Sequence, residues 1–463
     1  MFLSLIYKRV ILVCKLTAIF VMKKTFSIIS LGCPRNLVDS ERLVSEFAKK
    51  GYRFQEGVPG ADTVIINTCT FIEDAKKESI EAILDAIDLK NRGKAGKIIV
   101  AGCLSQRYKN ELTKEFKEVD EFRGVMEFNN QSDTVCRRRR HTVSDWFAYI
   151  KISEGCANRC SYCVIPSIKG RYRSRSVESI KKEANELIDR GAREIILIGQ
   201  DTSLYGVDIY NAGARHAVPL QKLLKELANI SKDIWIRLLY LHPANLDRDV
   251  IKLIRDNRNM CRYIDLPIEH VNDNILRRMG RRIKKKGIIS LIEYIRKELP
   301  GAAIRTSLIV GFPGETDKEL KELASFVKEM KFERLGVFKY SREEGTIAYD
   351  YKNQVPEKEK QTRFDEIMTL QQEISKDANE KFKGRNLKVL IEERSEDYYL
   401  GRTEYDAHDI DGLVYVKGKN LKIGSFVDVK ITDTYEYDLI GKPCPTPCVA
   451  EGDTRCRTKV YSI

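Results

Sequence analysis

The chain has 463 residues, 43% of them apolar, with a formal charge of +14 at pH 7. That is enough apolar material for real cores, about two to four domains at the usual ~100–200 residues each. No uninterrupted apolar run reaches the ~18 residues of a membrane span, and the twelve cysteines cluster in motifs instead of scattering as a disulfide framework would. The cysteine pattern points to metal or redox chemistry in a reducing compartment, hence the cytoplasm. The basic excess points to a polyanionic partner.

Residues 1–23 read as an extension. The stretch is apolar but broken by Lys8, Arg9 and Lys15, and it ends in Ile19, Phe20 and Val21. A signal peptide carries its charge before one apolar run and ends in small residues. Met22 opens a natural start, so residues 1–21 are expected to be absent from a mature chain, which N-terminal sequencing checks.

Residues 24–140 form the first expected domain. Strand-like runs at 26–31, 62–66 and 97–101 alternate with helical patterns at 37–50 and 72–91. Continuous apolar strands alternating with helices predict a parallel sheet. Each run is followed by a cysteine: Cys33, Cys69 and Cys103, spaced 36 and 34 residues apart. One strand–helix unit between cysteines brings three thiolates to the carboxyl edge of one sheet, where such folds bind ligands. The plainer reading is three unrelated buried cysteines, which leaves the repeated position unexplained. The expectation is a metal centre with three protein ligands. Cys14 and Cys136 belong to no pattern, and the arginines at 137–140 read as a solvated linker, with an RNA or substrate contact as the lesser reading.

Residues 141–356 form the second expected domain. Strands are predicted at 149–153, 194–198, 234–239, 262–266, 304–310 and 334–338, with helices at 177–190, 220–229, 246–255, 288–298 and 318–330. Six such units without a seventh predict an open (βα)6 barrel, whose functional residues lie at the carboxyl ends of its strands. After the first strand come Cys156, Cys160 and Cys163 in a C-x3-C-x2-C spacing, with Tyr162 before the last. Thiolates suit iron–sulfur clusters or zinc. A ferredoxin-type cluster uses four cysteines; three leave one iron open to a ligand, whereas zinc would take a histidine as its fourth. After later strands come Gln200 and Asp201, His242, Glu269 and His270, and the run Gly311 to Glu315. Glycines there let backbone approach a ligand. Arg277, Arg278, Arg281, Arg282, Lys284, Lys285 and Lys286 form a basic run, read as a solvated helix end or as a contact to ribosomal RNA or another polyanion.

Residues 357–383 read as a helical linker. Residues 384–442 change texture to short strands at 387–392, 398–403, 413–416 and 426–433, as in a small antiparallel barrel. This segment holds 9 Lys and Arg against 12 Asp and Glu, a charge of −3, with acids grouped at 392–397 and 404–411. An anionic surface repels phosphate and attracts a basic protein. Residues 443–463, with Cys444, Cys448 and Cys456, read as a flexible tail, a zinc or third cluster site being the lesser reading.

Three spread cysteines before a C-x3-C-x2-C motif resemble the methylthiotransferases, radical S-adenosylmethionine (SAM) enzymes with two 4Fe–4S clusters. Ser30 through Glu41 and Lys151 through Gly170 resemble the ribosomal-protein type within that family. The tRNA type usually has another pair where this chain has Pro34 and Arg35. The resemblance covers about residues 24 to 442, and its last domain resembles TRAM. It implies a radical cluster on Cys156, Cys160 and Cys163, an auxiliary cluster on Cys33, Cys69 and Cys103, and SAM contacts at Tyr162, Gln200, Gly311 and Glu315. The family usually has Gln at the position of Glu269. The implied reaction is methylthiolation of the β-carbon of an aspartate in ribosomal protein S-twelve. SAM cleavage would yield a 5′-deoxyadenosyl radical, the auxiliary cluster the sulfur, and a second SAM the methyl group. External electron and sulfur donors are implied too. A tRNA methylthiotransferase is the nearest alternative, and a non-catalytic zinc or Fe–S ribosome-binding protein is the alternative of another class.

Overall fold

The computed structural model describes residues 24–128, 146–210 and 218–444. The expectations for residues 1–23, Cys14, Cys136, the arginines at 137–140, Cys448 and Cys456 lie outside the described residues.

The first domain runs β1 (Thr25–Ser30), α1 (Pro34–Lys49), β2 (Arg53–Phe54), β3 (Thr63–Thr68), α2 (Glu73–Asn91), β4 (Lys97–Gly102), α3 (Cys103–Arg107), α4 (Lys109–Glu115) and β5 (Glu121–Phe122). Its five strands are all parallel, in the order β2-β1-β3-β4-β5. Alternation along β3 explains the two helical layers. Val64 and Ile66 pack against Ile83 and Ile87 of α2, while Ile65 packs with Leu43 and Phe47 of α1.

The second domain runs β6 (Phe147–Lys151), β7 (Ser153–Glu154), α5 (Ile165–Lys169), β8 (Arg173–Ser174), α6 (Val177–Asp189), β9 (Glu194–Ile198), α7 (Val218–Ala228), β10 (Trp235–Leu238), α8 (Arg248–Asp256), β11 (Tyr263–Asp265), α9 (Asp273–Arg278), α10 (Lys285–Glu298), β12 (Ala303–Val310), α11 (Asp317–Met330) and β13 (Arg334–Lys339). The expected six parallel strands are present, as two three-stranded sheets, β6-β9-β10 and β11-β12-β13. One bridge, Ile236 to Met260, marks the seam between them. Ile195, Leu197, Ile236 and Ile264 face the helices. Ile196, Ile198, Trp235, Tyr263 and Ala303 face inward, where they meet Val38 of the first domain and Leu390 and Ala407 of the last. The neighbouring domains therefore help fill the open barrel.

The chain then forms α12 (Glu357–Glu380), β14 (Asn386–Arg394), β15 (Tyr399–Thr403), β16 (Val414–Val416), β17 (Phe426–Thr434) and β18 (Leu439–Pro443). These strands close a barrel in the order β14-β15-β16-β18-β17. The unforeseen β18 pairs parallel to β16 and antiparallel to β17. Its five residues end in proline, a weak strand signal, and closure supplies the pairing. Among the described residues no helix is long and apolar enough to cross a membrane.

Two surface expectations need correction. The acids at 404–411 are largely turned inward. Asp406 pairs with Arg334 at 2.6 Å, Asp411 accepts from the Tyr263 hydroxyl at 2.6 Å, and Glu404 accepts from the Arg262 amide at 3.1 Å. Strands β10, β12 and β13 carry Arg237, Arg305 and Arg334 at this junction, and buried cations need partners. The exposed acids of the first group are Glu393, Glu396 and Asp397. The basic run is likewise divided. Arg281 is buried, donating to Pro267 O and lying 3.9 Å from Cys160 Sγ, while Arg277, Arg282, Lys284 and Lys286 are exposed.

Candidate functional site

Cys33 caps α1, Cys69 follows β3 and Cys103 opens α3, so all three lie at one sheet edge. Asn36 ties their loops together. Its amide nitrogen donates to Leu31 O at 2.8 Å and Thr68 O at 3.0 Å, and its oxygen lies 4.0 Å from Cys103 Sγ. Gly32, at φ +88°, sits so close that a Cβ there would lie 2.8 Å from Cys69 Sγ. Burial raises the Cys69 thiol, with Cys33 adding to the rise. Burial pushes Cys103 up to about 12, opposed by Lys169 and reinforced by Cys69 and Cys33. For Cys33, burial is outweighed by the charge and hydrogen bond of Arg35, which hold the thiol below its ordinary value. Beside these cysteines, Thr70 Oγ1 and Ser105 Oγ are buried without a protein partner.

The second cysteine set lies in the loop after β7. Gly155, at φ +80°, packs so that a Cβ would meet Arg171 O at 2.3 Å. Asn158 Nδ2 donates to Asp201 Oδ2 at 2.7 Å and lies 3.6 Å from Cys156 Sγ. Asn245 holds the same Asp201 oxygen at 2.8 Å. Ser161 straps the loop to the turn after α9, donating through N to Met279 O at 2.9 Å and through Oγ to Arg278 O at 2.7 Å. Burial pushes Cys163 up to about 12, Cys160 and Cys156 contributing. Sequence alone assigned Asn158 no role, grouped Asp201 with Gln200, and read Arg281 as a solvated or RNA-contacting basic residue. Asp201 stood beside Gln200 at a strand end, whereas Arg281 was hidden in a charge run.

The four expected SAM contacts divide into two groups. Tyr162 packs against an apolar cluster that includes Ile275, Met279 and Phe312, the last being the neighbour of Gly311. Gln200 donates to Glu154 Oε1 at 2.8 Å, and its own Oε1 is buried without a partner. Glu315 accepts from Gly311 N at 3.0 Å and from Arg363 at 2.8 Å, and its second oxygen lies 3.5 Å from His270 Nε2. Gly311 has φ +70°, and a Cβ there would stand 2.3 Å from Lys360 Cγ of α12. That glycine is required by a neighbouring side chain. Burial raises the Glu269 carboxyl, against Arg281 and a hydrogen bond from Tyr162.

The first cysteine set meets the segment that follows the second across the domain junction. Cys103 packs with Val164 and Ile168, just after Cys163. Arg35 donates to Gly199 O at 3.0 Å and lies over the Tyr240 ring at 4.5 Å. Asp39 of α1 pairs with Lys151 at 2.6 Å and Lys169 at 3.0 Å, and Glu154 pairs with the same lysines at 2.7 and 3.6 Å. Among the described residues, no three His, Cys, Asp or Glu side chains are arranged around one metal ion.

Comparison with known proteins agrees with this layout. Residues 25–124 match the Uncharacterized protein family UPF0004, residues 150–327 the Radical SAM superfamily and residues 384–444 the TRAM domain. The chain is 44% identical over 449 residues to the Ribosomal protein uS12 methylthiotransferase RimO of Geotalea uraniireducens, covering 92% of this chain and 99% of that one. It is 43% identical over 436 residues to the protein of the same name in Clostridioides difficile, covering 89% and 97%. Solved structures are more distant. The radical SAM methyltransferase TsrM of Kitasatospora setae has a TM-score of 0.47 at 16% identity, covering 69% of this chain and 75% of that one. The family match over residues 150–327 makes the barrel a radical SAM domain, which uses SAM and a 4Fe–4S cluster. With this identity over nearly its whole length, the chain belongs to the family of ribosomal protein uS12 methylthiotransferases.

Proposed function

We propose that this protein attaches a methylthio group to the β-carbon of a specific aspartate of ribosomal protein uS12. The observation that carries the reading is the junction itself: one cysteine triad on each side, with Cys103 packed against the segment that follows Cys163. Cys156, Cys160 and Cys163 would hold the radical SAM cluster, and Cys33, Cys69 and Cys103 a second 4Fe–4S cluster. The buried, unpartnered hydroxyls of Thr70 and Ser105 fit a group with acceptor sulfides beside the first-domain set. When bound, the clusters and SAM supply the radical, the sulfur and the methyl group, chemistry that no side chain offers.

The chain's own residues bind and orient. Gln200 keeps one buried carbonyl oxygen free to accept from an amine of SAM, and Tyr162 offers an aromatic ring beside the cysteine loop. Glu315 is engaged by Arg363, the Gly311 amide and His270, which suits it to hold the Gly311 turn in place for SAM. Exposed Glu393, Glu396 and Asp397 suit a basic protein target, and exposed Arg277, Arg282, Lys284 and Lys286 suit ribosomal RNA around it. The reaction would run in the cytoplasm with external electron and sulfur donors.

The test is mass spectrometry of uS12 and of total tRNA from cells with and without the gene. Loss of one methylthio mass from uS12 alone supports the reading; loss from a tRNA nucleoside transfers the chemistry to the other substrate class. With purified enzyme, Cys160→Ala is expected to abolish SAM cleavage. Cys69→Ala is expected to spare cleavage and abolish sulfur insertion, and methylthiolated product from it would overturn the assignment of the two sites.

A further inference from the structure

Four charged side chains lie buried at the junction: Asp39 at 2% exposure, Lys151 at 3%, Glu154 at 2% and Lys169 at 5%. Two carboxylates, one from each domain, share two lysines from the barrel domain. Asp39 Oδ1 takes Lys151 at 2.6 Å and Oδ2 takes Lys169 at 3.0 Å. Glu154 takes Lys151 at 2.7 Å and Lys169 at 3.6 Å, and Gln200 donates to Glu154 at 2.8 Å. Burying charge is costly, and apolar packing would hold two domains at least as firmly. What a forked carboxylate adds is direction: both oxygens are used, so the rotation and height of α1 are set.

Three of the four members of the knot are a short step from a cysteine. Asp39 lies six residues along α1 from Cys33, about 9 Å of helix rise. Glu154 is two residues before Cys156. Lys169 ends α5, which begins two residues after Cys163, and its neighbour Ile168 touches Cys103. Arg35 adds a tether from the same turn of α1 to Gly199 O at 3.0 Å. We propose that Asp39 is a positioning residue that sets the placement of the first-domain cysteines relative to those of the barrel. It leaves each cysteine site intact and governs how SAM cleavage is coupled to sulfur insertion. The inference rests on the reading that both triads carry clusters acting on one target.

The experiment uses reconstituted holoenzyme carrying Asp39→Asn, and a second variant pairing Asp39→Asn with Lys169→Gln, which removes one charge of each sign. Three quantities are read: iron per chain, magnetic dipolar coupling between the two reduced clusters, and 5′-deoxyadenosine released per methylthiolated uS12 peptide. Iron is expected to match the parent protein and the coupling to weaken. The ratio is expected to rise at least ~10-fold, since small misplacements of reacting groups cost that much or more. Parent-like coupling and ratio in both variants overturn the proposal. So does loss of iron from both, which would make Asp39 a folding residue. If the parent protein releases 5′-deoxyadenosine but makes no methylthio product, the functional reading fails, and the dipolar coupling alone decides the role of Asp39.

Discussion

Asn36 holds the Leu31 and Thr68 carbonyls with one amide and lies beside Cys103. Replacing it by alanine leaves two acceptors without their donor, at about 1–3 kcal/mol each if no water replaces it. Asn36→Ala is therefore expected to lower the denaturation midpoint and reduce iron in the first domain while SAM cleavage persists; iron analysis of the reconstituted variant checks this. Gly311 makes a different demand. Its φ of +70° and the 2.3 Å approach to Lys360 Cγ both oppose a side chain. Gly311→Ala should cost about 1–3 kcal/mol, measured by urea unfolding, and Lys360→Ala in the same chain should recover part of it. The glycine was visible in the sequence as a candidate for close approach. What approaches it is a helix that begins 46 residues later, and no local pattern names that partner.

At the scale of elements, the last barrel docks through charge. Glu194 opens β9 and pairs with Arg237 of β10 and Arg402 of β15, both at 2.6 Å, all three fully buried. Burial opposes ionisation of Glu194, but the two guanidinium groups outweigh it and hold the carboxyl below its ordinary range. Glu194→Gln leaves two buried cations short of a partner, an expected loss of about 3–5 kcal/mol. A depressed carboxyl contributes stability that is present above its unfolded value of about 4.3 and lost as pH falls through the folded value. The variant's deficit should therefore be full at pH 7 and shrink below about pH 4, read by denaturant unfolding at each pH. The strands themselves were legible, because β-branched runs and turn residues are local signals. The docking was not, because an arginine inside a strand pattern does not announce the carboxylate it will meet.

For the whole molecule, the charge of +14 coexists with a last domain of −3. Only part of that acidity reaches solvent. Replacing exposed Glu393, Glu396 and Asp397 by lysine should weaken capture of a basic target, raising KM for uS12 peptide with kcat little changed and with less effect at high salt. Unchanged KM at physiological salt would remove this face from substrate binding. The matching change at Asp406 or Asp411 should instead destabilise the protein, because those acids belong to the junction with the barrel.

The chain by itself determined the three-part order, the six strands of the open barrel and the six cysteines in two sets. Those features rest on short-range patterns: the strand and helix periods, and a cysteine placed one βα unit after another. Tertiary structure alone decided which charges face solvent, why Gly311 must be glycine, and how α1 joins the two sites through Asp39 and Arg35. Burial gives a charge its meaning, and burial is a property of elements far apart in the chain meeting in space.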